Sequence, residues 1–195
     1  MTEAVMNYGE LRRDKDRFFK QDSASPLMPE QREHFEALNY FPPDPALDLV
    51  LTPEVFSEKA NVKIPTTKGD FRYYQRWGRI TFRVGEQEGQ LTMYHIPGES
   101  EFFIPFRDST SGTETYGAGR YIEAELLPSG KVHINFNFAY NPYCAYNEPP
   151  ELAAPSGREP RTWSCPIPPR ENHLKIPIRA GEKKPTGAWV IAEHD

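Results

Sequence analysis

The segment that decides the fold runs from Phe102 to Cys144 and reads FFIPFRDSTSGTETYGAGRYIEAELLPSGKVHINFNFAYNPYC. It begins with an apolar run, residues 102–106, that predicts a β-strand and leads into a polar loop rich in Gly, Ser and Thr. Two runs with an apolar side chain at every second position follow, residues 121–127 and 131–139, and this period is typical of strands. A short Pro-Ser-Gly turn joins them, so they are predicted to pair antiparallel.

The run 131–139 has two chemically different sides. One side carries Val132, Ile134, Phe136 and Phe138, and the other carries His133, Asn135 and Asn137. The apolar side is expected to face the core. The amide side would bind a polar ligand if it lined a barrel interior, and it would be solvated if it faced outward. It is expected to be buried only if the N-terminal arm or the Pro-rich C-terminal segment covers it.

The rest of the chain extends this pattern in both directions. Residues 3–21 and a short segment from Pro29 predict helices, because their apolar side chains follow the helical period. Further strands are predicted at residues 47–51, 62–65, 71–77, 79–84, 90–96 and 174–178, and residues 147–161 are predicted to be an exposed excursion. The fold class predicted is mainly β, an antiparallel β-barrel or sandwich with an N-terminal helical arm. We divide the chain into that arm, residues 1–45, and a single antiparallel β domain, residues 46–195.

Composition limits the function classes. The chain has 195 residues with 28 acidic and 23 basic side chains, a net charge of −5. This balance argues against nucleic-acid and anionic-membrane surfaces, which need an excess of Lys and Arg. No apolar run approaches the ~20 residues that cross a bilayer, and the N-terminal residues lack the pattern of a signal peptide. We therefore expect a cytoplasmic protein with mostly reduced thiols; the sequence does not determine its oligomeric state.

The loop after residue 106 holds four charged side chains, Arg107, Asp108, Glu114 and Arg120. The planar guanidinium of arginine can bind a carboxylate through two parallel hydrogen bonds. One interpretation is that the four groups form internal ion pairs that pin a glycine-rich loop, since buried charges are normally paired. The other is that one arginine stays available for an anionic ligand.

A ligand site is predicted where these side chains meet the aromatic and amide groups at the strand ends. Its members are Arg107, Asp108, Glu114, Tyr116, Arg120, Asn135, Asn137, Tyr140, Asn141 and Tyr143. The leading hypothesis is a non-enzymatic domain that binds a small polar or anionic ligand or a protein partner, with no cofactor. The alternatives are a hydrolase-like enzyme that uses the arginine and carboxylate groups, and a purely structural role. No nucleophile elbow, phosphate loop, dinucleotide fingerprint or zinc-protease motif is present, so catalytic residues stay unknown.

The two cysteines, Cys144 and Cys165, permit a metal hypothesis, because thiolates are zinc ligands. A tetrahedral site needs two further ligands, and no Cys-x-x-Cys or His-x₃-His spacing supplies them. A catalytic Cys–His pair would likewise need a base that the sequence does not place. We therefore predict no metal site, and the simplest alternative is a pair of buried, unreactive thiols.

Four motifs together resemble one prokaryotic family, the domain-of-unknown-function family 1684. They are Phe106-Arg-Asp-Ser-Thr-Ser-Gly-Thr-Glu-Thr-Tyr-Gly-Ala-Gly-Arg-Tyr121, Asn135-Phe-Asn-Phe-Ala-Tyr-Asn-Pro-Tyr-Cys144, Cys165-Pro-Ile-Pro-Pro-Arg-Glu-Asn172 and Ala180-Gly-Glu182. Residues 22–41 also resemble that family. The resemblance implies an intracellular, mostly β domain and no activity. The family usually has Asp-Phe-Asn where this chain has Asn135-Phe136-Asn137, so a catalytic carboxylate at that position would be missing here.

Overall fold

Eight antiparallel strands form one sheet that curls into a half-barrel in the computed structural model, which describes residues 7–146 and 163–190. The strands are β1 (Asp48–Leu51), β2 (Glu54–Val55), β3 (Asn61–Pro65), β4 (Phe71–Val84), β5 (Gln87–His95), β6 (Glu101–Phe106), β7 (Arg120–Leu126) and β8 (Val132–Asn135). Their spatial order is β1-β8-β7-β6-β5-β4-β2, and β3 also pairs with β4. The prediction of a mainly antiparallel β fold is confirmed.

Strand β4 is the longest element and is continuous, although the sequence predicted two strands with a kink at Gly78. The kink is a β-bulge, because the register between β4 and β5 shifts between Arg76 and Gly78. A Cβ on Gly78 would lie 2.8 Å from the carbonyl oxygen of Glu54, so only glycine lets β2 approach here. The sequence pattern detected the irregularity, but the pairing on both sides of it keeps one strand.

The predicted strand 131–139 is wrong beyond residue 135. Asn135 ends β8 because its side-chain oxygen accepts a hydrogen bond from the backbone N–H of Asn137 (3.0 Å). This bond starts a 3₁₀ helix over Phe136–Phe138, which changes the side-chain period from two to three. As a result Phe138 is exposed, whereas Asn137 is buried. The predicted antiparallel pairing of this strand with its predecessor is confirmed as β7 with β8.

The predicted strand 174–178 is also wrong, although its apolar alternation is correct. Ile176 and Ile178 lie in the main core. Pro177 has no N–H to give to a ladder, and the N–H of Ile178 bonds to the carboxylate of Asp108 (2.6 Å) instead of to a strand. The segment is therefore held partly by the backbone of Arg107 and Ser109, which bond to Leu174 and Ile176, and at Ile178 by a side chain instead of a strand.

Two helices form the N-terminal arm, α1 (Tyr8–Gln21) and α2 (Pro29–His34). Asn7 caps α1 by accepting a hydrogen bond from the N–H of Glu10 (3.1 Å). Both helices were predicted, and residues 3–6 of the first lie outside the described residues, as does the predicted excursion 147–161. Within the described part of the chain, no helix is long and apolar enough to cross a bilayer.

The arm is attached to the sheet by a second, aromatic core beside the main one. Phe19 of α1 is 1% exposed and packs edge-on against Tyr146, with ring centroids 4.9 Å apart. Phe35 packs in the same way against Trp189 at 5.0 Å. Edge-to-face pairs of this kind each stabilise by about 1 kcal/mol beyond their buried area. This docking brings one side of α1 near the outer side of β6 and β7.

Candidate functional site

Arg120 lies in the protein interior rather than at a ligand site. Its guanidinium is 1% exposed and donates to the carbonyl oxygens of Ile178 (2.7 Å), Ala180 (2.5 Å) and Glu182 (3.0 Å). Burial lowers the pKa of Arg120 to about 10, which still leaves the side chain charged at neutral pH. Arg120 thus supplies the hydrogen-bond donors that a neighbouring strand would otherwise give to the carbonyl groups of residues 178–182.

Asp108 completes this cluster. One of its oxygens accepts from the N–H of Ile178 (2.6 Å) and faces Arg120 at 3.4 Å. The other accepts from the hydroxyl of Thr110 (2.8 Å), which also contacts Thr115 (2.9 Å). The pairing matches the interpretation in which the charged groups pin the loop, and a ligand would have to displace these bonds to reach either group.

The other charged loop residues lie apart from this cluster. Arg107 uses its backbone to join the loop to the C-terminal segment, since it donates to Asn172 (3.0 Å) and accepts from Leu174 (2.7 Å). Glu114 forms an ion pair with Arg179 (2.9 Å) near the surface, beside a polar hollow of about 330 Å³. The structure therefore does not bring the four loop charges together at one site.

The predicted amides hold irregular backbone. Asn135 donates to the hydroxyl of Tyr8 on α1 (2.9 Å), so the arm does cover this side of the strand. Asn137 exchanges two hydrogen bonds with the backbone of Asp44, at 2.7 and 2.8 Å. Asn141 is buried and donates to the carbonyl oxygen of Lys183 (2.9 Å). Each amide thus links, through hydrogen bonds, two segments that lie far apart in the sequence.

A cavity of about 680 Å³ lies between α1, the outer side of β4, β6 and β7, and the segments 140–143 and 163–166. We call it the aromatic cavity. Eight of its lining residues are aromatic: Phe18, Phe19, Tyr74, Phe103, Tyr121, Tyr140, Tyr143 and Trp163. Its other lining residues are Lys15, Arg72, Ile96, Glu99, Glu101, Glu123, Pro142, Ser164, Cys165 and Pro166. Its volume falls within the ~300–1,000 Å³ typical of small-molecule sites.

The aromatic rings of the wall hold one another in place. Tyr121 packs edge-on against Phe103 at 4.9 Å and against Tyr140 at 5.8 Å. Tyr143 packs edge-on against Trp163 at 4.9 Å. The hydroxyl of Tyr121 donates to the carbonyl oxygen of Pro166 (2.6 Å), which fixes the ring at both ends. These contacts leave the wall preformed, so a ligand would not have to order it.

The charged side chains that line the aromatic cavity give it a negative electrostatic potential. Lys15 is paired with Glu182, outside the cavity, at 2.6 Å. The remaining charged groups in the lining are three carboxylates, on Glu99, Glu101 and Glu123, and one guanidinium, on Arg72.

Glu123 lies within this cavity and accepts a hydrogen bond from the hydroxyl of Tyr140 (2.5 Å). Solvent in the cavity reaches the carboxylate, but the surrounding protein atoms displace much of its hydration. That desolvation raises the pKa of Glu123 above its usual range. The bond from Tyr140 works in the opposite direction, since it stabilises the charged form.

Of the ten predicted site residues, Tyr140 and Tyr143 line the aromatic cavity. Tyr116 lies close by in the aromatic core, with its hydroxyl 3.9 Å from the sulfur of Cys144. Tyr121 and Glu123 also line the cavity but were not among the predicted site residues; they alternate with the core residues of β7. That alternation indicated the outer side of the sheet, but nothing in the sequence showed that α1 covers it.

The two cysteines lie in different surroundings. Cys165 lines the aromatic cavity, whereas Cys144 packs against the aromatic core, with its sulfur 3.9 Å from the hydroxyl of Tyr116. Both are free thiols, as predicted. Among residues 7–146 and 163–190, no three His, Cys, Asp or Glu side chains are grouped as metal ligands.

Residues 33–183 match the model of a protein family described as "Protein of unknown function (DUF1684)". The chain belongs to this family. The resemblance seen in the sequence motifs is thereby confirmed, and membership in DUF1684 assigns no activity.

A solved structure supports the same fold. The solution NMR structure of an uncharacterized protein from Haloarcula marismortui is similar to this chain, with 32% sequence identity and a TM-score of 0.64. The similarity covers 90% of this chain and 91% of the archaeal one. No curated protein matches the chain.

The family resemblance implies an aspartate at the position of Asn135, and the contacts made there fit either side chain. The side-chain oxygen of Asn135 accepts from the backbone and the amide of Asn137, at 3.0 and 2.9 Å. A carboxylate could accept the same two bonds, and the hydroxyl of Tyr8 could then donate to it. An aspartate at this position would therefore serve the same capping role.

Proposed function

We propose that this protein binds a small molecule with an aromatic or alkyl body in the aromatic cavity. The observation that carries the proposal is a preformed cavity of about 680 Å³ with eight aromatic side chains in its wall. Such walls bury apolar ligand surface, and a few polar groups orient the ligand. Glu123 and Tyr140 supply polar groups of this kind.

The charges favour an uncharged or cationic ligand over the anionic one expected from the sequence. An anion would need a guanidinium or ammonium group available in the cavity. Lys15 is committed to Glu182, and three carboxylates oppose Arg72. Aromatic faces and carboxylates together attract organic cations.

The enzyme alternative required a carboxylate that lies free beside an arginine in a cleft. Asp108 accepts several hydrogen bonds and is 6% exposed, so it does not meet this requirement. Glu114 is paired with Arg179 at the surface. No contact of these residues favours a hydrolase mechanism, and we propose a binding protein.

We also propose a cytoplasmic location, because both cysteines are free thiols and reducing compartments keep thiols in that state. The net charge of −5 speaks against nucleic acid and anionic membranes as partners.

The test uses three probes of one size and different charge: phenyltrimethylammonium, benzyl alcohol and benzoate. Each is titrated at pH 7 into ¹⁵N-labelled protein. We expect shifts confined to the amides of residues 121–123, 140–141, 143 and 163–165, with the ammonium probe bound most tightly and benzoate least. Absence of binding by all three, or shifts centred elsewhere, would refute the proposal.

A pair of variants on one strand tests the role of charge. Glu123→Gln removes a carboxylate from the aromatic cavity, and Glu125→Gln removes one two residues along β7 that does not line it. We expect Glu123→Gln to weaken binding of the ammonium probe by up to about fivefold, since half-solvated ion pairs contribute up to ~1 kcal/mol. Glu125→Gln should leave it unchanged, and equal effects of the two would show that Glu123 does not contact the ligand.

A further inference from the structure

Glu123 presents the aromatic cavity with a hydrogen-bond acceptor that the protein uses only in part. Its carboxylate lines the cavity and accepts a hydrogen bond from the hydroxyl of Tyr140 at 2.5 Å. Among residues 7–146 and 163–190, no other side chain donates to this carboxylate. A carboxylate has about four acceptor positions on its two oxygens, so Glu123 can still accept from a ligand.

The bond from Tyr140 also fixes the direction of the carboxylate. The backbones of Tyr140 and Tyr121 exchange two hydrogen bonds, at 2.8 and 2.9 Å, and their rings pack edge-on with centroids 5.8 Å apart. Glu123 lies two residues farther along β7, and like Tyr121 it lines the cavity. Donor and acceptor therefore belong to one rigid part of the wall, and a ligand would not have to order them.

An apolar row of rings begins beside this carboxylate. Phe103 is the direct neighbour of Glu123 across the pairing of β6 with β7. The ring of Phe103 packs edge-on against Tyr121 at 4.9 Å and stacks on Tyr74 at 5.3 Å. A ligand whose polar group reaches Glu123 can therefore place an aromatic or alkyl body along these rings.

The ammonium of Lys15 already occupies a ring face that an organic cation would use. It lies 5.0 Å from the ring centroid of Tyr140 and 5.8 Å from that of Phe19, within the ~6 Å reach of cation–π contacts. Its charge is balanced by Glu182 at 2.6 Å. The positive group of a ligand is therefore expected at the carboxylate of Glu123 rather than on the ring of Tyr140.

A carboxylate discriminates between ammonium groups by their N–H bonds. An N–H on a charged nitrogen brings that nitrogen to about 2.7–2.9 Å from the oxygen. The methyl groups of a quaternary ammonium keep its nitrogen farther away, so the charge attraction is weaker and the hydrogen bond is missing.

We propose that the ligand of the aromatic cavity is a protonated primary, secondary or tertiary amine with an aromatic or alkyl body, whose N–H donates to Glu123; this rests on the binding function proposed above. Tyr140 is the positioning residue for the carboxylate, since its hydroxyl holds the acceptor in place. The body of the amine lies against Phe103 and Tyr121.

The test is a methylation series of one probe: benzylamine and its N-methyl, N,N-dimethyl and N,N,N-trimethyl forms, all positively charged at pH 7. Each is titrated into the unmutated ¹⁵N-labelled protein. The first three keep at least one N–H, while apolar area grows at every step. We expect the first three dissociation constants to agree within about threefold and the trimethyl form to bind about tenfold more weakly, the lower end for a hydrogen bond to a charged group. Affinity that rises with every methyl group would overturn the proposal.

Glu123→Gln and Glu125→Gln locate the acceptor. Glutamine keeps the size of the side chain and removes its charge, and Glu125 lies on the same strand but does not line the cavity. In Glu123→Gln the difference between benzylamine and its trimethyl form should shrink to less than about threefold, whereas in Glu125→Gln it should stay near tenfold. An undiminished difference in Glu123→Gln would show that the N–H donates to another group.

The same series separates the role of the N–H from the binding function itself. If all four probes bound in the aromatic cavity with equal affinity, the cavity would still be a binding site and the donor to Glu123 would be refuted. If none bound, and no amide of residues 121–123 and 140–141 shifted, the binding function would fail as well.

Discussion

Replacing Asp108 by Asn tests whether the ion pair with Arg120 stabilises the fold. The change keeps the shape of the side chain and removes its charge. The side chains of both partners are 1% exposed, and the carboxylate also accepts from the N–H of Ile178 at 2.6 Å. The variant therefore leaves a buried guanidinium without its counter-ion and weakens the attachment of the C-terminal segment.

The expected magnitude follows from the contacts that remain. Removing one partner of a buried pair typically costs about 3–5 kcal/mol. Arg120 keeps its three bonds to carbonyl oxygens, so we expect the lower end, a loss of about 3 kcal/mol in the free energy of unfolding. For a chain of this size that loss lowers the melting temperature by about 6–12 °C.

Glu114→Gln is the matched control, because Glu114 lies on the same loop and is paired with Arg179 at 2.9 Å. The two side chains of that pair are 36% and 61% exposed, and exposed pairs contribute only ~0–1 kcal/mol. Urea unfolding and thermal melts followed by circular dichroism measure both variants. If Asp108→Asn lost less than about 1 kcal/mol, or no more than Glu114→Gln, the loop would not depend on the buried pair.

Three further predictions concern single side chains. Gly181→Ala should lower the free energy of unfolding by about 3 kcal/mol, since Gly181 has φ +74° and an added Cβ would meet the carbonyl oxygen of Ala139. The control Gly69→Ala, at φ +81° in open space, should lower it by about 1 kcal/mol. Similar losses for the two variants in urea unfolding would contradict the clash. Asn135→Asp should change the free energy of unfolding by less than about 1 kcal/mol, and a loss above about 2 kcal/mol would show that the amide is needed as a donor. Because the pKa of Glu123 is raised, calorimetry should show that binding of phenyltrimethylammonium weakens as the pH falls from 7 to about 5, and a pH-independent affinity would exclude this carboxylate from the site.

The placement of the aromatic cavity shows the limit of sequence reasoning about the site. Tyr140 and Tyr143 were predicted because they follow a strand end, and they do line the cavity. Lys15 and Trp163 also line it, but they come from α1 and from a segment far along the chain. Their meeting depends on how the arm docks against the sheet, and no local pattern encodes that docking.

The sequence by itself determined the fold class, most of the strands and the family. Alternating apolar residues produce strands wherever one side of a sheet is buried, so the period of two in β4, β5 and β7 is a local property.

Tertiary structure decided which polar groups stay paired inside the protein. Asp108 and Arg120 are residue types that ligand sites commonly contain. Here they bond to the segment 178–182, because that segment lacks a strand partner. Asn135 ends β8 through a side-chain bond that alternation cannot reveal. Only long-range packing determines the partner of each polar side chain, and those partners separate a structural cluster from a binding site.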